Sequence, residues 1–134
     1  LNAMFAAAFD DPPNYPADAP DDAWCRSLLA RDEVVLLVAL DRGRVVGGIG
    51  AYILHKFEQA RRELYIYDLA VADDRRRQGI ATALIDETRA IARAVGAWTV
   101  FVQADTIPED EPARALYRKL AASEMTALHF DIAP

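Results

Sequence analysis

At 134 residues the chain is long enough for one domain with its own core, and 53% apolar residues make it globular rather than disordered. Its net charge of -6 disfavours nucleic acid, whose phosphates need Lys and Arg, and favours cationic partners. No apolar run approaches the ~20 residues of a membrane span, and the lone Cys25 excludes an internal disulfide, which fits a reducing compartment or indifference to it; a cytoplasmic location is expected.

Leu1, Met4, Phe5 and Ala8 form the apolar face of a helix reaching Phe9. Leu1 stands in mid-pattern, and neither the basic nor the long apolar part of a secretion signal is seen, so residues upstream are expected, one strand among them. From Asp10 to Pro20 the prolines Pro12, Pro13 and Pro16 remove donors and fix φ, so the helix gives way to a loop. That loop carries Asp10, Asp11 and Asp18 with Tyr15, and is a candidate wall of a substrate cleft. Asp21 or Asp22 caps a short helix holding Trp24, Leu28 and Leu29, with Cys25 as a packing residue. Glu33 to Leu40 is a strand, and its run Val34 to Val38 is too apolar for a sheet edge. Asp41 to Arg44 turns a hairpin and Val45 to Leu54 returns, with Gly47, Gly48 and Gly50 marking a bulge or a close backbone approach. His55 to Arg62 is a polar loop anchored by a buried Phe57.

Tyr65 to Leu84 organises the remainder. Tyr65, Ile66, Tyr67, Leu69 and Val71 are strand formers within a central strand running from Glu63 to Val71. Ile80, Leu84, Thr88, Ile91 and Val95 recur at helical steps, and Gly96 stops that helix. Between strand and helix stand Arg75, Arg76, Arg77 and Gly79. A helix N-terminus offers unpaired N–H groups and a positive dipole end, so this junction is an anion site, with Gly79 admitting a phosphate and the arginines adding charge. Trp98 to Ala104 is the next strand, parallel to the central one through a right-handed crossover. Pro112 opens a short helix to Leu120, with Leu116 and Leu120 toward the core. Leu128, Phe130 and Ile132 alternate with His129 and Asp131, the pattern of a final strand. The elements add up to an α/β chain, a mixed sheet with helices on both faces.

Neither GxxxxGK[ST] nor GxGxxG is present, so the usual nucleotide fingerprints are absent. Arg76-x-x-Gly79-x-Ala81, set between a strand and a helix, resembles the acyl-CoA signature [QR]-x-x-G-x-[GA] of the GNAT N-acetyltransferases. The resemblance implies the GNAT fold, a mixed and mostly antiparallel sheet with a splayed parallel strand pair at its centre, over a single domain of residues 1–134. It implies acetyl-CoA as cofactor, its pyrophosphate held by Arg76, Arg77, Gln78, Gly79, Ile80, Ala81 and Thr82, and its pantetheine arm along Leu69, Ala70 and Val71. The arm would add to the splayed strand as a pseudo-strand.

Acetyl transfer from a thioester to an amine needs a held donor, a deprotonated amine, donors to an oxyanion and a proton for the leaving thiolate, with no covalent enzyme intermediate and no metal. Ala113, Tyr117 and the residues between them are similar to the GNAT motif N-x-x-A-x-x-x-Y-x-x-x-G, which implies Tyr117 as the general acid toward the CoA sulfur. Asp110 stands where that motif has asparagine, and Ala121 where it has glycine. Asp105, Glu63 and Asp68 are candidate bases. Asp105 is preferred because strand C-terminal ends border the crevice of open α/β sheets, and it either takes the amine's proton or binds the ammonium. His55 and His129 rank after these carboxylates.

Longer phrases narrow the resemblance. Tyr65 to Val71 (YIYDLAV), Arg76 to Ile85, Val102 to Asp105, Ala115 to Leu120 and His129 to Ile132 together are similar to the type I aminoglycoside 3-N-acetyltransferases, the gentamicin acetyltransferases. This branch implies an aminoglycoside 3-amine as acceptor, antibiotic resistance and a homodimer. Asp105, Glu109, Asp110 and Asp131 would then bed a cationic small-molecule amine. Another amine, such as a polyamine or a peptide amine, and a non-catalytic acyl-CoA sensor are the alternatives.

Overall fold

The computed structural model describes residues 1–11, 13–15 and 20–134. Pro12, Pro16 and Asp18 of the expected cleft loop lie outside the described residues. The chain packs as two compact units, residues 1–103 and 104–134. The first holds helices α1 (Asn2–Phe9) and α2 (Asp22–Leu29), strands β1 (Val34–Asp41), β2 (Arg44–His55) and β3 (Arg62–Val71), helix α3 (Ile80–Ala94) and strand β4 (Ala97–Val102). Their sheet runs β1-β2-β3-β4, antiparallel except for the parallel β3–β4 pair. The second unit holds helix α4 (Glu111–Leu120) behind a 3-10 turn at Pro108–Asp110.

In the first unit, neighbouring residues of β2 show how the layers lie. A side chain on Gly48 would meet Leu1 beside α1, and one on Gly47 would meet Ile80 and Leu84 of α3, so the two helices cover opposite faces. Gly48 is required by close approach: a Cβ there would sit 2.8 Å from the Leu37 carbonyl oxygen. The main core forms under α3, where Ile49, Ala51, Ile53, Leu64 and Ile66 join Leu84, Ile85 and Ala92, all buried. Thr88 is fully buried there too, and its hydroxyl is satisfied by donating to the Leu84 carbonyl at 2.9 Å. Asp21 caps α2 by accepting the Trp24 N–H at 2.7 Å.

Four expectations change. β1 is an edge strand, with Leu36, Val38 and Leu40 exposed, because α3 covers only the face carrying Val35, Leu37 and Ala39. Phe57 is 100% exposed, since the β2–β3 loop projects past the core it was expected to fill. β4 ends at Val102, not Ala104. The alternating stretch Leu128 to Ile132 forms no strand; a period of two makes a strand only when a neighbour takes its hydrogen bonds, and residues 121–134 form no ladder.

Candidate active site

The first component is a strand that loses its partner. Opposite Gly50 and Ala51 of β2 stand Asp68 and Ile66 of β3, which leaves Tyr67 as an extra, bulged residue. β4 pairs with β3 only from Arg62 to Ile66, so beyond the bulge Tyr67 to Val71 have no strand on that side among the described residues. Ala72 donates its N–H to Val46 of β2 at 2.9 Å. Donors alternate between the edges of a strand, so the N–H groups of Leu69 and Val71 point to the open edge and that of Ala70 to β2. Tyr65 supports the fork below the opening: it stacks on Phe101 of β4 at 4.8 Å and donates its hydroxyl to Gln103 at 2.9 Å.

The second component is the start of α3. Gly79 caps it at φ 82°, a conformation glycine adopts freely, and no heavy atom stands within 4 Å of where a Cβ would be. Ala83 makes the first intrahelical bond, to the Gly79 carbonyl at 3.0 Å, so the N–H groups of Ile80, Ala81 and Thr82 precede the ladder. The cap has no side-chain acceptor and the first turn has no acid, so the positive end of the helix is uncompensated.

The arginines leading into it divide. Arg75 does not add free charge: it binds Asp41 at 2.9 Å and Asp74 at 3.0 Å, while Arg44 binds Asp74 at 2.5 Å. These pairs fasten the 3-10 turn Asp73–Arg75 to the β1–β2 hairpin and so fix the approach to α3. Arg76 pairs with Asp73 at 2.7 Å and reaches the Val71 carbonyl at 3.4 Å, at the end of the open edge. Arg77, at φ 62°, and Gln78 are exposed, and Arg77 has no ion pair among the described residues. The sequence hinted at the clamp only through the acids Asp41, Asp73 and Asp74 interleaved with the arginines. An apolar groove of about 270 Å³ lined by Leu37, Ala39, Ile80, Ala83, Leu84 and Glu87 lies on the β1 side of α3.

Of the candidate bases in the first unit, Glu63 is engaged by Arg61 at 3.0 Å. Asp68 is different. It is half-buried, and Tyr15 donates its hydroxyl to it at 2.5 Å across 53 residues of sequence. Burial raises the carboxyl above its ordinary range and the tyrosine's hydrogen bond works against that rise. Burial and the Asp68 carboxylate push the Tyr15 hydroxyl well above its usual value. The Tyr15 ring packs against Phe5 and Phe9, at 5.8 and 5.3 Å. Nothing local in the sequence announces this pair.

In the second unit, Arg114 is the organiser that sequence reasoning missed. It donates to the carbonyls of Asp105 and Ile107 and binds Glu111 at 2.7 Å, tying the segment before α4 to the helix. Asp105 lies beyond β4; its N–H donates to the Asp110 carboxylate at 3.2 Å and its own carboxylate is exposed. Glu109 is exposed, and Asp131 lies 3.2 Å from His129. Tyr117 is half-buried on α4, and burial, with the Asp110 charge adding, pushes its hydroxyl up to about 12. It therefore keeps its proton at neutral pH. Among the described residues no group of three or more His, Cys, Asp or Glu side chains is arranged to hold a metal ion, and no helix is long and apolar enough to cross a membrane.

Comparison with known proteins bears on this geometry. The profile of the Acetyltransferase (GNAT) family matches residues 1–122. A crystal structure of an aminoglycoside acetyltransferase from an uncultured soil metagenomic sample is 53% identical, with a TM-score of 0.95, covering 100% of this chain and 88% of that one. A second such enzyme from soil metagenomic material, crystallised with sisomicin, is 32% identical with a TM-score of 0.90, covering 100% and 86%. The L-2,4-diaminobutyric acid acetyltransferase of Shouchella clausii is 34% identical over 90 residues, 67% of this chain and 48% of that protein, so the match spans about half the length of that relative. The open edge of β3, the bare start of α3 and the match over residues 1–122 together lead to one conclusion: the chain belongs to the GNAT acetyltransferase family.

Proposed function

We propose that the protein transfers an acetyl group from acetyl-CoA to the 3-amino group of a gentamicin-type aminoglycoside, by direct attack with no covalent enzyme intermediate. The observation that carries the donor half is the open edge of β3 running up to a helix start with free N–H groups and no acid. Such a junction suits an extended amide arm that ends in a pyrophosphate. Leu69 and Val71 offer N–H groups to the arm, with Ala70 between them, and Arg76, Arg77, Gln78, Gly79, Ile80, Ala81 and Thr82 offer N–H groups and charge to the phosphates. Bound acetyl-CoA supplies the activated acyl group. Tyr117, with its proton held up to about pH 12, serves as the acid toward the leaving sulfur.

The acceptor half is supported by the 53% identity to an aminoglycoside acetyltransferase and by the acids Asp105, Glu109, Asp110 and Asp131, which suit a polycation. In this reading Asp105 takes up the amine end of the acceptor. A homodimer, a cytoplasmic setting and a role in antibiotic resistance belong to the same proposal. A second reading, acetylation of a small diamine, is favoured by the likeness to the diaminobutyric acid enzyme.

The test is an acetyl-CoA assay against gentamicin, kanamycin, spermidine, 2,4-diaminobutyrate and a peptide amine. The proposal expects turnover of gentamicin and a product acetylated at the 3-amine. Turnover of the other amines with none for any aminoglycoside would replace it with the second reading.

A further inference from the structure

Asp68 stands within the open stretch of β3, one residue before Leu69 and next to the bulge at Tyr67. Its side chain shares a face with Gly50, whose missing Cβ would lie 3.4 Å from Asp68 Oδ2, and this is the face carrying α1, opposite α3. The carboxylate is half-buried, and among the described residues no Arg, Lys or His pairs with it; its hydrogen-bond partner is the neutral Tyr15 hydroxyl on Oδ1. A partly desolvated anion with only a phenol for company has unused capacity for a cation. The titratable groups that feel its charge are Tyr15 from the segment before α2 and Tyr65 from β3, while Tyr67 and Asp11 act on Tyr15. α1 carries no charged residue, and β2 offers Gly50 opposite Asp68, with Tyr52 two residues on, its ring edge-on to Tyr67 at 6.0 Å.

We infer that Asp68 is a seat for an ammonium group of the acceptor, and that Tyr15 is a positioning residue holding its carboxylate for that contact. The inference rests on the proposed placement of the acyl donor along Leu69 to Val71, which puts the acetyl group beside this residue. An acceptor with several ammonium groups, an amino sugar or a polyamine, fits the seat; a neutral or singly charged peptide amine gains less from it. Tyr15 serves by occupying one carboxylate oxygen and leaving Oδ2 for the cation.

The experiment is steady-state kinetics of Asp68→Asn and Tyr15→Phe with gentamicin and spermidine, alongside wild type. Asp68→Asn keeps the shape and the acceptor atom for Tyr15, and is expected to raise KM for the amine roughly tenfold or more while KM for acetyl-CoA stays put. Tyr15→Phe keeps the ring on Phe5 and Phe9 and removes the hydrogen bond that stabilises the charged carboxylate. Its acid limb of kcat/KM therefore moves to higher pH, a change that a purely structural role for Tyr15 does not produce. Unchanged amine KM in Asp68→Asn, or an unmoved acid limb in Tyr15→Phe, overturns the inference while gentamicin turnover by wild type keeps the proposed function. Asp68-dependent turnover of spermidine without gentamicin turnover does the reverse. A wild type that neither turns over nor binds any polyamine overturns both.

Discussion

The stretch from Tyr65 to Thr82 and the segment from Ala104 to Pro134 present different kinds of group to the ligands of the proposed reaction. The first presents backbone: N–H groups on a strand edge with no neighbour among the described residues, a glycine at positive φ and a helix start without a cap acceptor. Its arginines are largely spoken for, with Arg75 clamped to Asp41 and Asp74, and Arg76 paired to Asp73. The second presents side chains: Tyr117 with a raised hydroxyl and exposed carboxylates such as Asp105 and Glu109, while Arg114 fastens the segment before α4 to the helix through the Asp105 and Ile107 carbonyls and Glu111. Backbone donors recognise what is common to every acyl-CoA, whereas side-chain charges can be exchanged to change the acceptor. One fold can thus keep its donor and vary its amine.

Substitutions that separate the two regions are ordered here by expected effect. Tyr117→Phe should lower kcat about 10²–10⁴-fold, the usual contribution of a positioned acid, and leave acetyl-CoA affinity intact; single-turnover kinetics beside calorimetry checks both. Gly79→Val should do the opposite. A β-branched residue at φ 82° is strained and fills the space where a phosphate approaches, so acetyl-CoA affinity should fall about tenfold or more, with fold retained by circular dichroism. Equal losses of affinity in both variants would erase the distinction between the regions. Asp105→Asn removes an exposed charge and should raise the amine KM about fivefold without touching acetyl-CoA binding. Unchanged amine kinetics would remove Asp105 from the site. Arg75→Ala opens solvent-screened ion pairs and should leave the midpoint of a denaturant titration almost unchanged, with a small loss of acetyl-CoA affinity as the approach to α3 loosens.

The pH dependence also sharpens the comparison. Burial disfavours the phenolate of Tyr117, so its hydroxyl stays protonated as pH rises through the ordinary tyrosine value of 10, and is lost only near about 12. An alkaline fall of kcat centred below pH 10, absent in Tyr117→Phe, would show that the hydroxyl titrates earlier and that burial does not hold its proton.

Local patterns explain what the sequence revealed. The helix of Ile80, Leu84, Thr88 and Ile91 and the strand of Tyr65 to Val71 each carry a period that one element satisfies alone, and Gly79 marks their junction. β1 shows the limit of such patterns: its apolar run read as buried on both faces, yet helix cover on one face left Leu36, Val38 and Leu40 exposed. Leu128 to Ile132 shows the same limit, since alternation does not supply a pairing partner. Phe57 failed because one aromatic in a polar loop says nothing about whether the loop turns inward. The bond from Tyr15 to Asp68 joins a proline-rich segment to a strand, and no spacing rule connects them. In the candidate site, Gly79 and the helix start were legible as local pattern, while the Tyr15–Asp68 bond and the contacts of Arg114 are made in three dimensions and left no local signal.

The central claim is that the donor binds to the backbone of the β3 edge and the α3 start. Amide NMR of the ¹⁵N-labelled protein titrated with acetyl-CoA tests it directly. The N–H signals of Leu69, Val71, Ile80, Ala81 and Thr82 are expected to shift most, with Ala70, which donates to β2, moving less. Saturable acetyl-CoA binding that leaves the Leu69, Val71 and Ile80 to Thr82 amides in place would contradict the claim.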